Sequence, residues 1–162
     1  MSKVEQTIKF SRGHHESVVS AMESLDASGR GWINIGPWLS DEAMAEVPVR
    51  TGLGAWFSGR GPHVPMATWI PSDATGRRPT AAQIGVEHGT GPNALKRLRE
   101  SGHSMPEGWV PRQDHAKHGI VAELPSEAQP DDVIEWLVSA ITELSDLVSV
   151  GPRWRAVVHR PD

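Results

Sequence analysis

The order of elements in residues 82–160 constrains the fold more than any other feature of this sequence. Apolar periodicity and turn residues predict strand, helix, strand, strand, helix and strand in this segment. Gly91 and Pro92 are predicted to begin the first helix. Proline is tolerated in a first turn, because the N–H that it lacks would have no partner within the helix there. Pro130 begins the second helix in the same way, and Gly151 ends it.

The two strands between those helices predict a hairpin. They cover residues 109–113 and 120–124, and a polar segment containing Gly119 separates them. Pro111 lacks a backbone donor, which predicts that the first of these strands lies at a sheet edge or carries a bulge. An exposed edge strand would also permit a homodimer.

The βαββαβ order is typical of a ferredoxin-like sandwich, in which both helices cover one face of an antiparallel sheet. We therefore predict an α+β protein with an antiparallel sheet, helices on one face and a ferredoxin-like C-terminal half. The N-terminal half is predicted to extend the same sheet or to form a related lobe. One α+β unit over residues 1–162 is the preferred organisation, and sub-lobes at 1–74 and 80–162 are the alternative.

The N-terminal half carries weaker signals. Residues 7–10 alternate polar with apolar side chains as in a strand, and a helix follows that Gly29 ends. Residues 32–38 predict a second strand, which Pro37 stops. The stretch 48–71 predicts two short strands joined by a loop rich in Gly and Pro.

Composition excludes several classes of protein. The 162 residues include no cysteine, which excludes disulfides, thiolate zinc sites and cysteine nucleophiles. The N-terminus lacks an apolar leader, and no stretch approaches the roughly 20 apolar residues of a membrane span, so a cytoplasmic protein is expected. The net charge of -4 disfavours nucleic acid as a partner without excluding it.

Charged residues are segregated along the chain. Seven acids and no base lie between Glu123 and Asp146, whereas Lys96, Arg97 and Arg99 lie close together on the first helix of the C-terminal half. Two solvated helix faces of opposite sign are the simpler interpretation. The alternative is a basic ligand or partner for the acidic helix.

A set of short phrases resembles a group of small actinobacterial proteins of unknown function. The phrases are Gly-Arg-Gly-Pro at 59–62, Ala-Thr-Trp-Ile-Pro at 67–71, Ile-Gly-Val-Glu-His at 84–88, Gln-Asp-His at 113–115 and Arg-Trp-Arg-Ala at 153–156. The resemblance covers most of the chain. It implies a single unit, and it implies no activity and no catalytic residues.

Residues 89–94 match the pattern G-x-G-x-x-G/A of phosphate-binding loops. They follow a predicted strand and open a helix, and Asp114 lies twenty residues beyond their end. Pro92 removes one N–H donor, however, and no second mononucleotide half follows. Gly89 and Gly91 are therefore candidates for binding a small anion at the helix N-terminus, and we predict no cofactor.

Residues 80–99 also resemble a helix-turn-helix DNA-binding motif, with Gly89 in the turn and a basic recognition helix after it. This interpretation makes residues 82–87 helical. Gly85 inside that first helix, His88 at a usually aliphatic position and the acidic net charge all oppose it. We favour a short strand followed by a packed helix.

A polar cluster lies in the predicted hairpin loop. It contains Asp114, His115 and His118, and His88 ends a neighbouring strand. Two imidazoles beside a carboxylate suit metal binding or acid–base catalysis near neutral pH, which makes these four residues the catalytic candidates. The same residue types are common in hairpin turns, where Asp bonds its own backbone, and we predict no metal.

The aromatic balance is unusual, with seven Trp, two Phe and no Tyr. Trp136 and Trp154 are predicted to pack in the core. Four others lie in segments rich in Gly and Pro and are predicted to line a ligand-binding cleft or a partner-binding patch, where Trp is enriched. These four are Trp32, Trp38, Trp56 and Trp69.

The sequence thus favours a non-catalytic module that binds a small molecule or a protein partner in a Trp-rich cleft. His88 and the loop 114–118 are expected at the rim of that cleft. DNA binding through residues 80–99 and a small metal- or His-dependent enzyme are the two alternatives.

Overall fold

The computed structural model describes residues 3–39, 64–75, 78–145 and 151–161. These residues form seven strands and three helices. In chain order they are β1 (Lys3–Ser11), α1 (Glu16–Ser28), β2 (Trp32–Pro37), β3 (Met66–Ile70), β4 (Gln83–Glu87), α2 (Ala94–Glu100), β5 (Val110–His115), β6 (Gly119–Glu123), α3 (Pro130–Glu143) and β7 (Arg153–Pro161). The predicted loop at 59–62 and Trp56 lie outside the described residues.

The strands form one sheet in the order β1-β7-β2-β3-β4-β6-β5. Every neighbouring pair is antiparallel. The predicted α+β class with an antiparallel sheet is therefore confirmed. The last strand of the chain, β7, lies between the first two, and strands from both halves of the chain share the sheet.

The ferredoxin-like arrangement predicted for residues 82–160 is not confirmed. Strands β4, β6 and β5 are neighbours in the order that this fold requires, but β2 and β3 lie between β4 and β7. The alternation of apolar residues predicts which side of a strand is buried, and it contains no information about which strand lies next to it. The error in strand order has this origin.

The strand register brings the apolar residues onto one face of the sheet. One row crosses six strands through cross-strand pairs and consists of Ile8, Ala156, Ile35, Ala67, Val86 and Ile120. All six are buried. Branched residues alternate with alanine along much of this row, which leaves room for helices to pack against it.

Helices α1 and α3 cover this face. Their buried residues include Val18, Met22 and Leu25 of α1 and Val133, Ile134, Leu137 and Ile141 of α3. These side chains and the buried strand residues belong to a single apolar cluster, which also includes Ala94 and Leu98 of α2. Gly29 ends α1 in a left-handed conformation with φ of 67°, as the sequence predicted.

Strand β5 has both properties that Pro111 predicted. It lies at the edge of the sheet. Its pairing with β6 shifts register between Pro111 and Gln113, which is a β-bulge. A proline at this position removes no hydrogen bond from the interior of the sheet.

The structure corrects the helix-turn-helix interpretation of residues 80–99. Gln83–Glu87 form β4, an interior strand that pairs with β3 on one side and β6 on the other. Ile84 and Val86 are buried, whereas their neighbours in β4 are not, so the burial repeats every two residues and not at helical spacing. The first helix of the motif is therefore not formed.

No helix in the described part of the chain is long and apolar enough to cross a membrane.

The tight approach of β6 to β4 generates a prediction at Gly119. This residue has φ of +80°, and a Cβ there would overlap the carbonyl oxygen of Val86. Gly119→Ala is therefore expected to reduce the free energy of unfolding by about 3 kcal/mol or more, because backbone strain adds to a backbone clash. Urea denaturation followed by circular dichroism measures this change.

The control for this prediction is Gly102→Ala. Gly102 has a similar φ of +88° but no atom within 4 Å of the added Cβ. Its substitution is expected to reduce the free energy of unfolding by only about 1 kcal/mol, because it adds the strain of a left-handed backbone and no clash. Equal losses of unfolding free energy in the two variants would show that the approach of β6 to Val86 is not tight.

Candidate functional site

A groove of about 480 Å³ lies between residues 102–109, the turn 125–129 and one face of α3. Trp109 and Trp136 form its floor. Their ring centroids are 5.5 Å apart and their planes make an angle of 65°, an edge-to-face geometry that aromatic pairs prefer. This groove is therefore built on two Trp residues that are not among the four that the sequence predicted.

The orientation of the Trp136 ring is held by two hydrogen bonds. Its Nε1–H donates to the carbonyl oxygens of His103 and Ser104, each at 3.2 Å. These bonds tie the segment after α2 to α3. The indole therefore forms a fixed part of the groove floor, because its polar atom is already satisfied.

The rim of the groove is acidic. Its carboxylates are Glu107, Glu127, Asp132 and Glu135. No Lys or Arg of the described residues lines the groove. A concave surface lined by charge of one sign focuses the field and attracts ligands of the opposite sign.

Only part of this negative charge is compensated nearby. Arg12 lies beside the groove, where its Nη2 donates to Ser139 Oγ at 2.8 Å and its Nε lies 4.0 Å from Glu135 Oε1. His103 Nε2 lies 3.3 Å from Glu143 Oε1. The pair of Arg12 and Glu135 is partly exposed and neutralises Glu135 only weakly, and Glu143 does not line the groove.

A sequence signal for this site existed and was missed. Asp132, Glu135, Trp136 and Ser139 have the spacing i, i+3, i+4 and i+7, which places them on one face of a helix. The predicted core position of Trp136 on the apolar face of α3 is confirmed, since the residue is 6% exposed, and it borders the groove as well. The contribution of Trp109 had no local signal, since it depends on tertiary contact with α3.

The predicted ligand-binding Trp residues do not converge. Trp69 is 3% exposed on the buried face of the sheet, where it borders an internal cavity next to α1. Trp32 stacks on His159 with centroids 4.7 Å apart, and Trp38 lies under Lys9 Nζ at 4.0 Å. Trp32 and Trp38 lie at opposite ends of β2, about 20 Å apart along the strand. Trp56 lies outside the described residues.

A polar chain crosses the sheet face that is turned away from the helices. Thr68 Oγ1 donates to Asn34 Oδ1 at 2.9 Å, and Asn34 Nδ2 lies 3.0 Å from His159 Nε2. Because Asn34 Nδ2 is the donor, His159 Nε2 accepts, and the ring hydrogen lies on Nδ1. His159 Nδ1 is 3.3 Å from Glu5 Oε1, but the angles do not make this ion-pair contact a hydrogen bond.

His88 is fully buried at the end of β4. Its Nδ1 accepts from the backbone N–H of Thr90 at 3.3 Å and lies 2.9 Å from Thr90 Oγ1. Arg97 donates to Thr90 O at 2.9 Å, to Thr90 Oγ1 at 2.7 Å and to Gly91 O at 3.3 Å. These bonds fix the turn that contains Gly89 and Gly91, so Arg97 supports the backbone of this turn.

The N-terminus of α2 already binds a carboxylate of the protein. Asp114 accepts from the N–H of Ala94 through Oδ1 at 3.2 Å and from the N–H of Leu95 through Oδ2 at 3.0 Å. A carboxylate at this position complements the helix dipole. The anion that Gly89 and Gly91 were predicted to bind would compete with Asp114 for the same two donors.

His115 and His118 stabilise the hairpin turn in which they lie. His115 Nδ1 accepts from the N–H groups of Lys117 and His118 at 3.0 and 3.2 Å, and the two imidazoles stack with centroids 4.7 Å apart. His115 and His118 are therefore in contact, whereas Asp114 is directed to α2 and His88 to Thr90. Within the part of the chain that the structure describes, no group of three or more His, Asp or Glu residues could hold a metal ion.

The edge hairpin carries a perturbed ion pair. Arg112 Nη2 donates to Glu123 Oε2 at 2.9 Å. This hydrogen bond lowers the pKa of Glu123 and raises the pKa of Arg112, and the opposite charges act in the same directions. Both groups are exposed on β5 and β6 and do not line the groove, so this pair is a surface contact between strands.

Comparison with protein-family models, with curated proteins and with solved structures finds no match for this chain. The resemblance to small actinobacterial proteins stays an expectation from the sequence. Function is therefore inferred from the groove and the cavities alone.

The bond of Asp114 to α2 generates a second prediction. Asp114→Ala is expected to lower the free energy of unfolding by about 1 to 2 kcal/mol, because two N–H groups of a helix N-terminus lose a charged acceptor. The matched control is Glu23→Ala, since Glu23 is exposed on α1. Urea denaturation of both variants measures the difference, and an unchanged Asp114→Ala midpoint would contradict the capping role.

Proposed function

We propose that this protein is a non-catalytic binding module that accepts a basic peptide segment of a partner in the groove floored by Trp109 and Trp136. The observation that carries the proposal is the combination of an aromatic floor with a rim of carboxylates on one concave surface. Either feature by itself would be ordinary. Together they match the chemistry of a lysine or arginine side chain, which has an apolar stem and a cationic end.

The rim supplies available negative charge. Within the described residues Glu107 and Asp132 have no ion-pair partner, and the carboxylate of Glu127 accepts from the neighbouring Ser126 Oγ at 3.0 Å. Because these carboxylates are exposed, a ligand can reach them without a large desolvation cost. The attraction between exposed charges is modest for each pair and depends on salt.

The floor offers a cation the exposed parts of two indole rings, since Trp109 and Trp136 are 8% and 6% exposed. A cation near an indole ring gains roughly 0.5 to 1 kcal/mol at an exposed site. Trp is also enriched among the residues that dominate protein–protein binding energy. The volume of about 480 Å³ is within the usual range of ligand clefts and exceeds the needs of one side chain, which favours a peptide segment over a single ion.

The two alternatives receive less support. DNA binding required a helix over residues 82–87, where the structure has β4, and the groove has the wrong sign of charge for phosphate. An enzyme required His88, Asp114, His115 or His118 to meet at one point, whereas His88 bonds to Thr90, Asp114 caps α2, and His115 bonds within its own turn. A groove that binds without reacting is the simpler account.

Several finer expectations are part of the same proposal. A cytoplasmic setting fits a chain with no cysteine. The order β4-β6-β5 supports a partial relation to ferredoxin-like sheets. A homodimer would use an edge strand, and the bulge of β5 disfavours that edge for pairing.

The groove predicts binding of acetyl-tetralysine amide at low salt, measured by isothermal titration calorimetry. The test variant carries Glu107→Gln, Glu127→Gln and Asp132→Asn. Affinity for the peptide is expected to fall at least tenfold, because three attractive charge pairs of up to about 1 kcal/mol each are removed. Affinity of the unchanged protein should also fall as salt rises from 20 to 200 mM, because the Debye length shortens from roughly 20 Å to roughly 7 Å.

The matched control variant carries Glu16→Gln, Glu23→Gln and Glu87→Gln. These three carboxylates are exposed and do not line the groove, and their removal changes the net charge by the same amount. The control is expected to retain most of the affinity. If both triple variants lose affinity equally, binding follows net charge and the groove proposal is wrong.

A further inference from the structure

A second cavity, of about 290 Å³, lies on the other side of the turn that borders the groove. Pro125 and Ala128 contribute to both cavities. The second cavity reaches into the interior between α1, β3 and the start of α3. Its apolar wall residues include Met22, Trp69, Ala82, Leu124, Pro130 and Val133.

The walls of this cavity are stiff. Trp69 and Leu124 are fixed in the core, with 3% and 4% of their surface exposed. Pro79, Pro125 and Pro130 also line it, and proline rings restrict the backbone. The strand-like bridge between Asp73 and Thr80 closes the loop that carries part of the wall. A preformed apolar cavity binds a ligand with little loss of conformational entropy.

One charged group borders the cavity. It is Asp26 of α1, which is exposed and lies at the mouth. Ser72 Oγ approaches Asp26 Oδ1 at 3.4 Å, a long and therefore weak hydrogen bond that leaves most of the carboxylate's acceptor capacity unused. No Lys, Arg or His of the described residues lines this cavity. An anionic ligand is therefore disfavoured, and a cationic one is attracted.

The volume sets the size of the ligand. A dry cavity of about 150 Å³ lined by aliphatic and aromatic residues is large enough to hold benzene. The observed volume of about 290 Å³ is close to twice that value, which corresponds to a fused two-ring system. The indole of Trp69 offers such a ring an aromatic partner, and Met22 offers an adaptable sulfur contact.

We propose that this cavity binds a small aromatic amine whose ring lies against Trp69 and whose ammonium group lies at Asp26. The site is separate from the groove and does not depend on the function proposed for it. The hydroxyl groups of Ser72, Thr80 and Ser126 line the cavity and add polar partners for the amine. The ring is held by burial of apolar area, and the charge selects the amine over an alcohol or an acid.

Three naphthalene compounds test the proposal because they share a ring and differ in charge. They are 1-naphthylmethylamine, 1-naphthalenemethanol and 1-naphthylacetate, each titrated into the full chain and followed by chemical-shift changes in NMR spectra. The amine is expected to bind tightest and the acetate weakest. Failure of both the amine and the alcohol to bind at millimolar concentration would overturn the site.

Two variants distinguish the contribution of the Asp26 charge to affinity from the contribution of the apolar cavity. Asp26→Asn is expected to lower affinity for the amine about fivefold and to leave the alcohol unchanged, as for the loss of one exposed charge pair. Ala81→Phe adds a ring at the wall and is expected to weaken all three compounds, with the fold checked by circular dichroism. Equal amine affinity in Asp26→Asn and the unchanged protein would overturn the role of the carboxylate.

The groove variant Glu107→Gln, Glu127→Gln and Asp132→Asn serves as the positional control. These acids line the groove and not the second cavity. Amine affinity is expected to stay within twofold in this variant. A large loss there, with none in Asp26→Asn, would place the amine in the groove and overturn the proposal.

Discussion

Burial of one face of a seven-stranded sheet is the constraint on which the rest of the structure depends. Because alternate residues of a strand point to opposite faces, the register that aligns Ile35 with Ala156 and Ala67 also aligns the neighbouring polar residues on the other face. A shift by one residue in any strand would bring polar groups such as Asn34 against the helices. The helices α1 and α3 are placed by this face, and both cavities lie where α3 and its preceding turn meet it.

The features of the fold that the sequence predicts correctly depend on single residues and on the backbone at those residues. Gly29 ends a helix because it tolerates a left-handed backbone, and Pro111 marks an edge because it has no N–H to donate. Which strands lie next to each other in the sheet is not decided by single residues in this way. The sequence of β4 does not specify whether β3 or β7 lies next to it, because both strands have the same alternation of apolar residues. Strand order is decided by packing of the whole chain, and it was the part predicted wrongly.

The same distinction applies to the candidate sites. Asp114 was singled out for its distance in sequence from the turn 89–94, and it does contact the helix that follows that turn, but as a cap. Residue type and spacing suggested a partner for an external anion, whereas the folded chain supplies the anion itself. The groove was missed for the opposite reason. Trp109 and Trp136 are distant in sequence, and each by itself is an ordinary core residue until the contact between them forms a surface.

The position of β7 also has a consequence for biosynthesis. Strands β1 and β2 flank β7 and do not pair with each other, so neither can pair with β7 before residues 153–161 have left the ribosome. Translation adds about 5 to 20 residues per second, so β1 waits several seconds for β7, its neighbour in the described sheet, whereas β2 can already pair with β3. During that interval α1 can form beside them, but the sheet has a gap as wide as one strand. Synthesis of β7 closes this gap, so the sheet is completed only after residues 153–161 have been made.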